Sequence, residues 1–284
     1  MIKIHKTKNK YLCKDGFFIR DFTDSSKIPL DLNKFNSNLD NDLFVTNEFE
    51  NFSQRYQNID NENININTIV IVSDGYDFAK RHAILSKLDK NNVKILAVNS
   101  ALKKWTLVGE QAEEKRAINF YVVNNPYNDC MVFLPNKHRY YPHCIASSRT
   151  NPEFLKSYRG NKYIYTPVED DNYSGIDRGA EYKIDDYRSP ICAAIALSWH
   201  FRANKIVLFC CDDSFNDERA GATKLENNLW CYPQQLISQN IVDGMCYWLK
   251  TKKIEIGDYS SGRKLEHATY IENEEQLLRY IQDE

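Results

Sequence analysis

A chain of 284 residues with 37 basic and 39 acidic side chains has a formal net charge of −2 at pH 7, so no overall attraction to nucleic acid or to a membrane surface is implied. The length allows one large α/β domain with a sizeable core. No run approaches the roughly 18 apolar residues of a spanning helix, and the opening MIKIHKTKNKYLCKDGFF lacks the apolar core of a signal peptide, so a soluble, cytoplasmic protein is expected.

Residues 1–66 read as an irregular N-terminal extension packed on the core, and 67–284 as the main domain. Asp15-Gly16 between apolar flanks signals a hairpin. The polar, Asn-rich stretch after it holds a candidate helix at 48–56. From Thr68 onward strand and helix alternate. The β-branched run at 68–72 suits a strand buried on both faces. Three- and four-residue apolar spacings predict an amphipathic helix over 78–88. A second strand follows at 94–98, and Ser100 is placed to cap the helix after it. The next strand, 117–123, runs into Asn124-Asn125-Pro126, where proline ends it.

Short strands at 144–147 and 162–166 flank a short helix at 152–158. The acidic segment 167–187 has no apolar periodicity and reads as a long loop of the kind that serves as a lid. Ser189-Pro190 is an N-cap followed by proline at the first helical position, and it opens an alanine-rich helix. Beyond this helix, a buried strand at 205–210 delivers Asp212 and Asp213. A polar loop at 216–230, a long helix at 233–250, a strand at 253–256 and a terminal helix capped by Asn273 complete the chain. The order predicts an α/β fold, a doubly wound, mostly parallel Rossmann-like sheet of about six or seven strands.

Eight cysteines are scattered along the chain without the density of a disulfide scaffold, and reduced thiols are expected. Cys130, His138, His143 and Cys144 form the one group resembling a metal site, but adjacent His143 and Cys144 do not match a structural zinc knuckle. No metal ligands are therefore assigned.

Four strand ends carry polar residues at the rim where α/β sheets bind ligands: Ser73-Asp74-Gly75, Asn99-Ser100, Asn124-Asn125 and Asp212-Asp213-Ser214. Neither G-x-G-x-x-G nor a Walker A sequence is present, which disfavours ordinary hydride-transfer cofactors and P-loop phosphoryl transfer. A nucleotide held by turn amides, asparagine side chains and a helix N-terminus fits what remains. Arg188 and Lys224 are candidate phosphate partners. Lys137, His138, Arg139, Arg149, Lys156, Arg159 and Lys162 form a basic stretch that could meet a polyanion, although a charge-balanced surface explains it as well.

The strand, turn and helix leading into ILAVNSAL, together with SPICAAIALSWHFRANKIVLFCCDD, resemble the MptE-like family, which includes 6-hydroxymethylpterin diphosphokinases. The arrangement is also similar to bacterial sialyltransferases that use CMP-activated sugars. The resemblance covers about residues 67–256 and implies Ser73, Asp74 and Gly75 at a phosphate turn, Asn99 and Asn125 at the nucleoside, Ser189 near phosphate and Asp213 near the reacting end. Two departures stand out: VSDGYDF replaces the usual glycine-proline-serine turn, and NNLWCYPQQL lies where the sialyltransferases place a catalytic histidine.

The expected function is a nucleotide-dependent transferase, foremost a glycosyltransferase moving a sugar from a nucleotide-sugar donor to a hydroxyl acceptor, with Asp212 or Asp213 as base. The acceptor could be a glycan, a small molecule or a modified DNA base, and a homo-oligomer is compatible. Two alternatives stand beside it. One is diphosphate transfer from ATP, with Asp212 and Asp213 on Mg²⁺. The other is a non-catalytic nucleotide-binding protein.

Overall fold

The computed structural model describes residues 4–7, 10–13, 18–19, 41–59, 66–108, 118–134, 141–167, 183–184, 186–187, 189–212, 214–225 and 227–282. The expected hairpin is represented by its flanks. Strands β1 (Ile4–Thr7), β2 (Lys10–Cys13) and β3 (Phe18–Ile19) form a small antiparallel sheet, while Asp15 and Gly16 lie outside the described residues. Helix α1 (Asn41–Ser53) starts earlier than the expected 48–56, and β4 (Gln57–Asn58) follows.

The main sheet contains β5 (Thr68–Val72), β6 (Val93–Val98), β7 (Ile118–Val123), β8 (His143–Ser147), β9 (Lys162–Pro167), β10 (Lys183–Ile184) and β11 (Lys205–Phe209). A two-stranded ribbon, β12 (Thr223–Lys224) and β13 (Trp230–Cys231), interrupts the expected polar loop, and β14 (Glu255–Tyr259) and β15 (Thr269–Tyr270) complete the main sheet. The order is β10-β9-β8-β7-β6-β5-β11-β14-β15, with β4 also paired to β9, and every pairing is parallel. The sheet thus has ten strands. The excess over the expected number comes from two-residue strands too short to leave a period in the sequence.

Side chains alternate between two apolar layers, as the two-residue period of a strand requires. Ile69, Ile71, Ile206 and Leu208 face one layer, with helices α5 (Pro190–His200) and α6 (Pro233–Thr251). Val70, Val72, Val207 and Phe209 face the other, with α2 (Phe78–Arg81), α3 (Ala101–Val108), α4 (Pro152–Ser157) and α7 (Glu274–Gln282). Ala193 and Ala194, both fully buried, let α5 approach β5, β6 and β7.

Two elements differ from expectation for physical reasons. The helix expected over 78–88 stops at Arg81 and continues as a 3₁₀ helix, His82–Lys87. There, His82 Nδ1 lies 3.0 Å from the Ala79 carbonyl and Ser86 donates to the Ala83 carbonyl, so side chains compete for the acceptors of an α-helix. The strand expected at 253–256 begins at Glu255 because Lys253 is left-handed at φ 63° and closes α6. It runs on through Gly257, whose missing Cβ leaves room for the Ile271 and Tyr280 side chains.

Candidate functional site

The strands from β5 to β9 step outward on one side, and β11, β14 and β15 on the other, so the order reverses between β5 and β11. Ligands of open α/β sheets bind at the carboxyl edge near such a reversal. The segments after β5 and β11 are joined there. Ser73 N–H donates to the Phe209 carbonyl and Gly75 N–H to the Cys210 carbonyl, both at 3.0 Å. These amides are therefore engaged by the neighbouring strand end.

Asp212 lies at the same place and is 3% exposed. A Cβ on Gly75 would strike its Oδ1, and one on Gly262 its Oδ2. Ser214 donates to the same carboxylate, and Gln239 of α6 donates to the Asp212 carbonyl. Burial raises the Asp212 carboxyl above its ordinary range, Ser214 opposes the shift and Asp77 adds to it. The carboxyl is enclosed between two turns. Gly75→Ala is expected to destabilise the protein by about 1–3 kcal/mol, at the upper end, because the added Cβ also meets the Cys210 carbonyl oxygen at 2.6 Å. Thermal unfolding checks this, and an unchanged Tm contradicts the packing described.

Among the described residues an open space lies to one side, over β6, β7 and β8. A cavity of about 230 Å³ is lined by Asn99, Asn124, Asn125, Ser147, Arg149 and Asp186, with Phe44, Tyr127, Pro126 and Pro190 completing the wall. Asn99 ends β6 in the left-handed region at φ 46°, a conformation asparagine tolerates. The Asn124 Nδ2 is buried and has no hydrogen-bond partner among the described residues. Asn125 is engaged: its Oδ1 accepts from Tyr127 N–H at 2.8 Å and its Nδ2 donates to Asp129 at 2.9 Å.

Arg149 brings the positive charge. Its Nε is 3.3 Å from Glu48 of α1, and its guanidinium stands 5.7 Å from the centre of the Phe44 ring. Asp186 faces the cavity from the other side and accepts from the Tyr165 hydroxyl at 3.0 Å. Burial, then the Asp186 charge, holds the Tyr165 phenol well above its ordinary value, so it remains a donor. Ser189 caps α5, accepting from Cys192 N–H, and Pro190 occupies the first helical position, so the N-terminus of α5 opens beside the cavity. Partial positive charge at a helix N-terminus favours an anion.

Helix α1 fastens this wall from the N-terminal region. Asn47 Nδ2 donates to the Pro126 and Arg149 carbonyls, Asn51 Nδ2 to those of Ser148 and Thr150, and Glu48 accepts from the Ser148 hydroxyl.

The structure thus brings together Asn99, Asn125 and the start of the helix capped by Ser189. It sets Ser73, Asp74, Gly75 and Asp212 on the neighbouring part of the rim. Ser100 donates to Asp74 at 2.5 Å and Lys104 pairs with the same carboxylate at 2.8 Å, which ties the β5 turn to α3. Lys224 is exposed on β12 with its Nζ 6.0 Å from the Trp230 ring centre, away from the cavity lining. Arg188 and Asp213 lie outside the described residues. Of the basic stretch, Arg149 turns inward, Lys156 pairs with Glu50 and Glu153, and Lys162 stands over Tyr56.

Ser147, Asp186 and Phe44 are site residues that the polar strand ends do not mark, and Arg149 stands in the sequence only as one member of the basic stretch. The signal for two of them is present, because Ser147 ends a predicted strand and Arg149 lies two residues beyond it. Cys130 and Cys144 are buried free thiols, with burial pushing Cys130 up to about 12 and Cys144 higher still. His138 lies outside the described residues.

No protein-family model matches the sequence, and a search of curated proteins gives no match. Among solved structures the fold is similar to that of a MAf glycosyltransferase from Magnetospirillum magneticum AMB-1, with 11% sequence identity over 85% of this chain and a TM-score of 0.61. The chain spans 41% of that protein, less than half its length. At this identity the likeness is one of fold, and the MptE-like resemblance rests on the sequence motifs. No helix among the described residues is long and apolar enough to cross a membrane.

Proposed function

We propose that this chain is a nucleotide-dependent transferase that takes a sugar from a nucleotide-sugar donor. The observation that carries the reading is the convergence on one rim cavity of the Arg149 guanidinium, the N-terminus of α5 and the amides of Asn99 and Asn124. A guanidinium and a helix N-terminus suit a phosphate, side-chain amides suit a base edge, and the Asp186 carboxylate suits a ribose hydroxyl. The fold likeness to a glycosyltransferase supports the same reading.

At about 230 Å³ the cavity is smaller than the roughly 300–1,000 Å³ that encloses a whole ligand. It would therefore hold the nucleoside end, leaving the sugar over the open rim. Negative charge develops on the leaving nucleotide phosphate as the glycosidic bond breaks. Arg149 and the positive end of the α5 dipole, with the Ile191 amide as its remaining first-turn donor, would stabilise that charge. A carboxylate takes the proton of the acceptor hydroxyl. Asp213 is the base in this reading, and the enclosed Asp212 holds the turn beside it.

Ligand-induced thermal shifts test the proposal. CMP, UDP or GDP sugars are expected to raise Tm, whereas stabilisation by ATP with Mg²⁺ alone would replace sugar transfer with diphosphate transfer. Tight binding of a nucleotide sugar with no transfer to any hydroxyl acceptor and no hydrolysis would leave only a binding protein.

A further inference from the structure

The segment between β14 and β15 is fastened to α6 at two places. Arg263 Nη1 donates to Asn240 Oδ1 at 2.6 Å. One turn further along the helix, Asp243 meets His267 twice. Its Oδ1 accepts the His267 backbone N–H and its Oδ2 lies 2.9 Å from the ring Nδ1. Glu266 joins this pair, so that one ligand atom from each of Asp243, Glu266 and His267 lies within 4.8 Å of the other two.

We propose that Asp243, Glu266 and His267 form a site for a divalent transition-metal ion, best suited to zinc, which staples the 260–268 segment to α6. The proposal is independent of the transferase reading. An imidazole with two carboxylates is a ligand set that zinc and its neighbours accept. Within the cluster the imidazole contributes at most one positive charge against two carboxylates, and a dication neutralises the set. Bonds of roughly 2.0–2.2 Å around a tetrahedral ion separate ligand atoms by roughly 3.4 Å. Closing from the present spacing takes about an ångström of movement, which the exposed Glu266 side chain can supply.

The other two ligands are already held. Asp243 projects from a helix and its side chain is 14% exposed, and the Tyr247 ring stands edge-on to His267 at 5.0 Å between centroids. The Asp243–His267 hydrogen bond already holds these two groups together, and an ion bound between them would take the place of the proton they share. The same segment carries Ser261, which donates to Asp77, and Gly262, which packs on Asp212. An ion here would fix the cover over the β5–β11 junction.

The test is equilibrium dialysis of chelator-treated protein against ZnCl₂, with bound zinc measured by elemental analysis and Tm recorded in parallel. The wild type is expected to bind about one equivalent and to gain Tm. Glu266→Gln keeps the Asp243–His267 pair, and its exposed position spares the fold. It is expected to weaken zinc binding at least about tenfold and to lose most of the Tm gain. Asp243→Asn should weaken binding further. A wild type that binds no zinc overturns the proposal. So do variants that bind zinc as the wild type does, since the ion would then sit elsewhere, leaving the cluster a hydrogen-bonded clasp.

Discussion

Arg149→Met is expected to abolish nucleotide binding and to destabilise the protein by about 3–5 kcal/mol, the range for breaking a buried ion pair. The two effects have separate causes. Glu48, whose side chain is 4% exposed and accepts from the Ser148 hydroxyl, would keep its negative charge beside the cavity without the guanidinium that balances it. The loss of binding comes from the missing guanidinium. Adding Glu48→Gln to Arg149→Met removes the stranded charge, so the double variant should recover most of the stability and none of the binding. Urea denaturation with calorimetric titration of nucleotide sugars separates the two. A double variant that binds nucleotide as the wild type does would remove Arg149 from the site.

The second large effect concerns pH. Asp258, the penultimate residue of β14, lies near Asp212, is 3% exposed, and its carboxyl is pushed up to about 7. Burial is the main cause, the Ser260 hydroxyl opposes it, and the Asp212 charge adds to it. The folded value lies above the ordinary value of 3.8. The protonated carboxyl is thus the form the fold favours, and stability present below about pH 4 is lost as pH rises through about 7. A shift of about three pH units at 1.36 kcal/mol per unit corresponds to about 4 kcal/mol. Asp258→Asn, which cannot ionise, should therefore gain on the wild type by an amount of that order between pH 4 and pH 7, with no further divergence at higher pH. Denaturation of both proteins at a series of pH values measures the difference. Parallel profiles would mean that Asp258 ionises in the fold at no cost.

Much of the sheet was legible in the sequence because its strands are apolar on both faces. The run at 68–72 needs no partner to declare itself, and all five of its residues are buried. The Ser189 cap with proline at the first helical position was legible for the same local reason, and so was Asn273, which accepts from Gln276 N–H at 3.0 Å. Local signals failed where a residue's partner is distant. The Asn51 amide binds carbonyls 97 and 99 residues away, so nothing near it in sequence marks α1 as part of the cavity wall. Likewise the Gly75 turn reads as a phosphate turn only until the Cys210 carbonyl is seen to take its amide. Arg149 sat within a basic stretch, and composition could not tell an inward guanidinium from Lys156, whose ammonium pairs with Glu50 and Glu153 at the surface.

The central claim is that a nucleotide sugar binds over β6, β7 and β8, and a crystal structure with CMP-, UDP- or GDP-sugar bound tests it most directly. The predicted result is nucleoside density among Asn99, Asn124 and Asp186, with phosphate between Arg149 and the start of α5. Density over Gly75 and Asp212 instead, or an empty cavity at saturating donor, would contradict it.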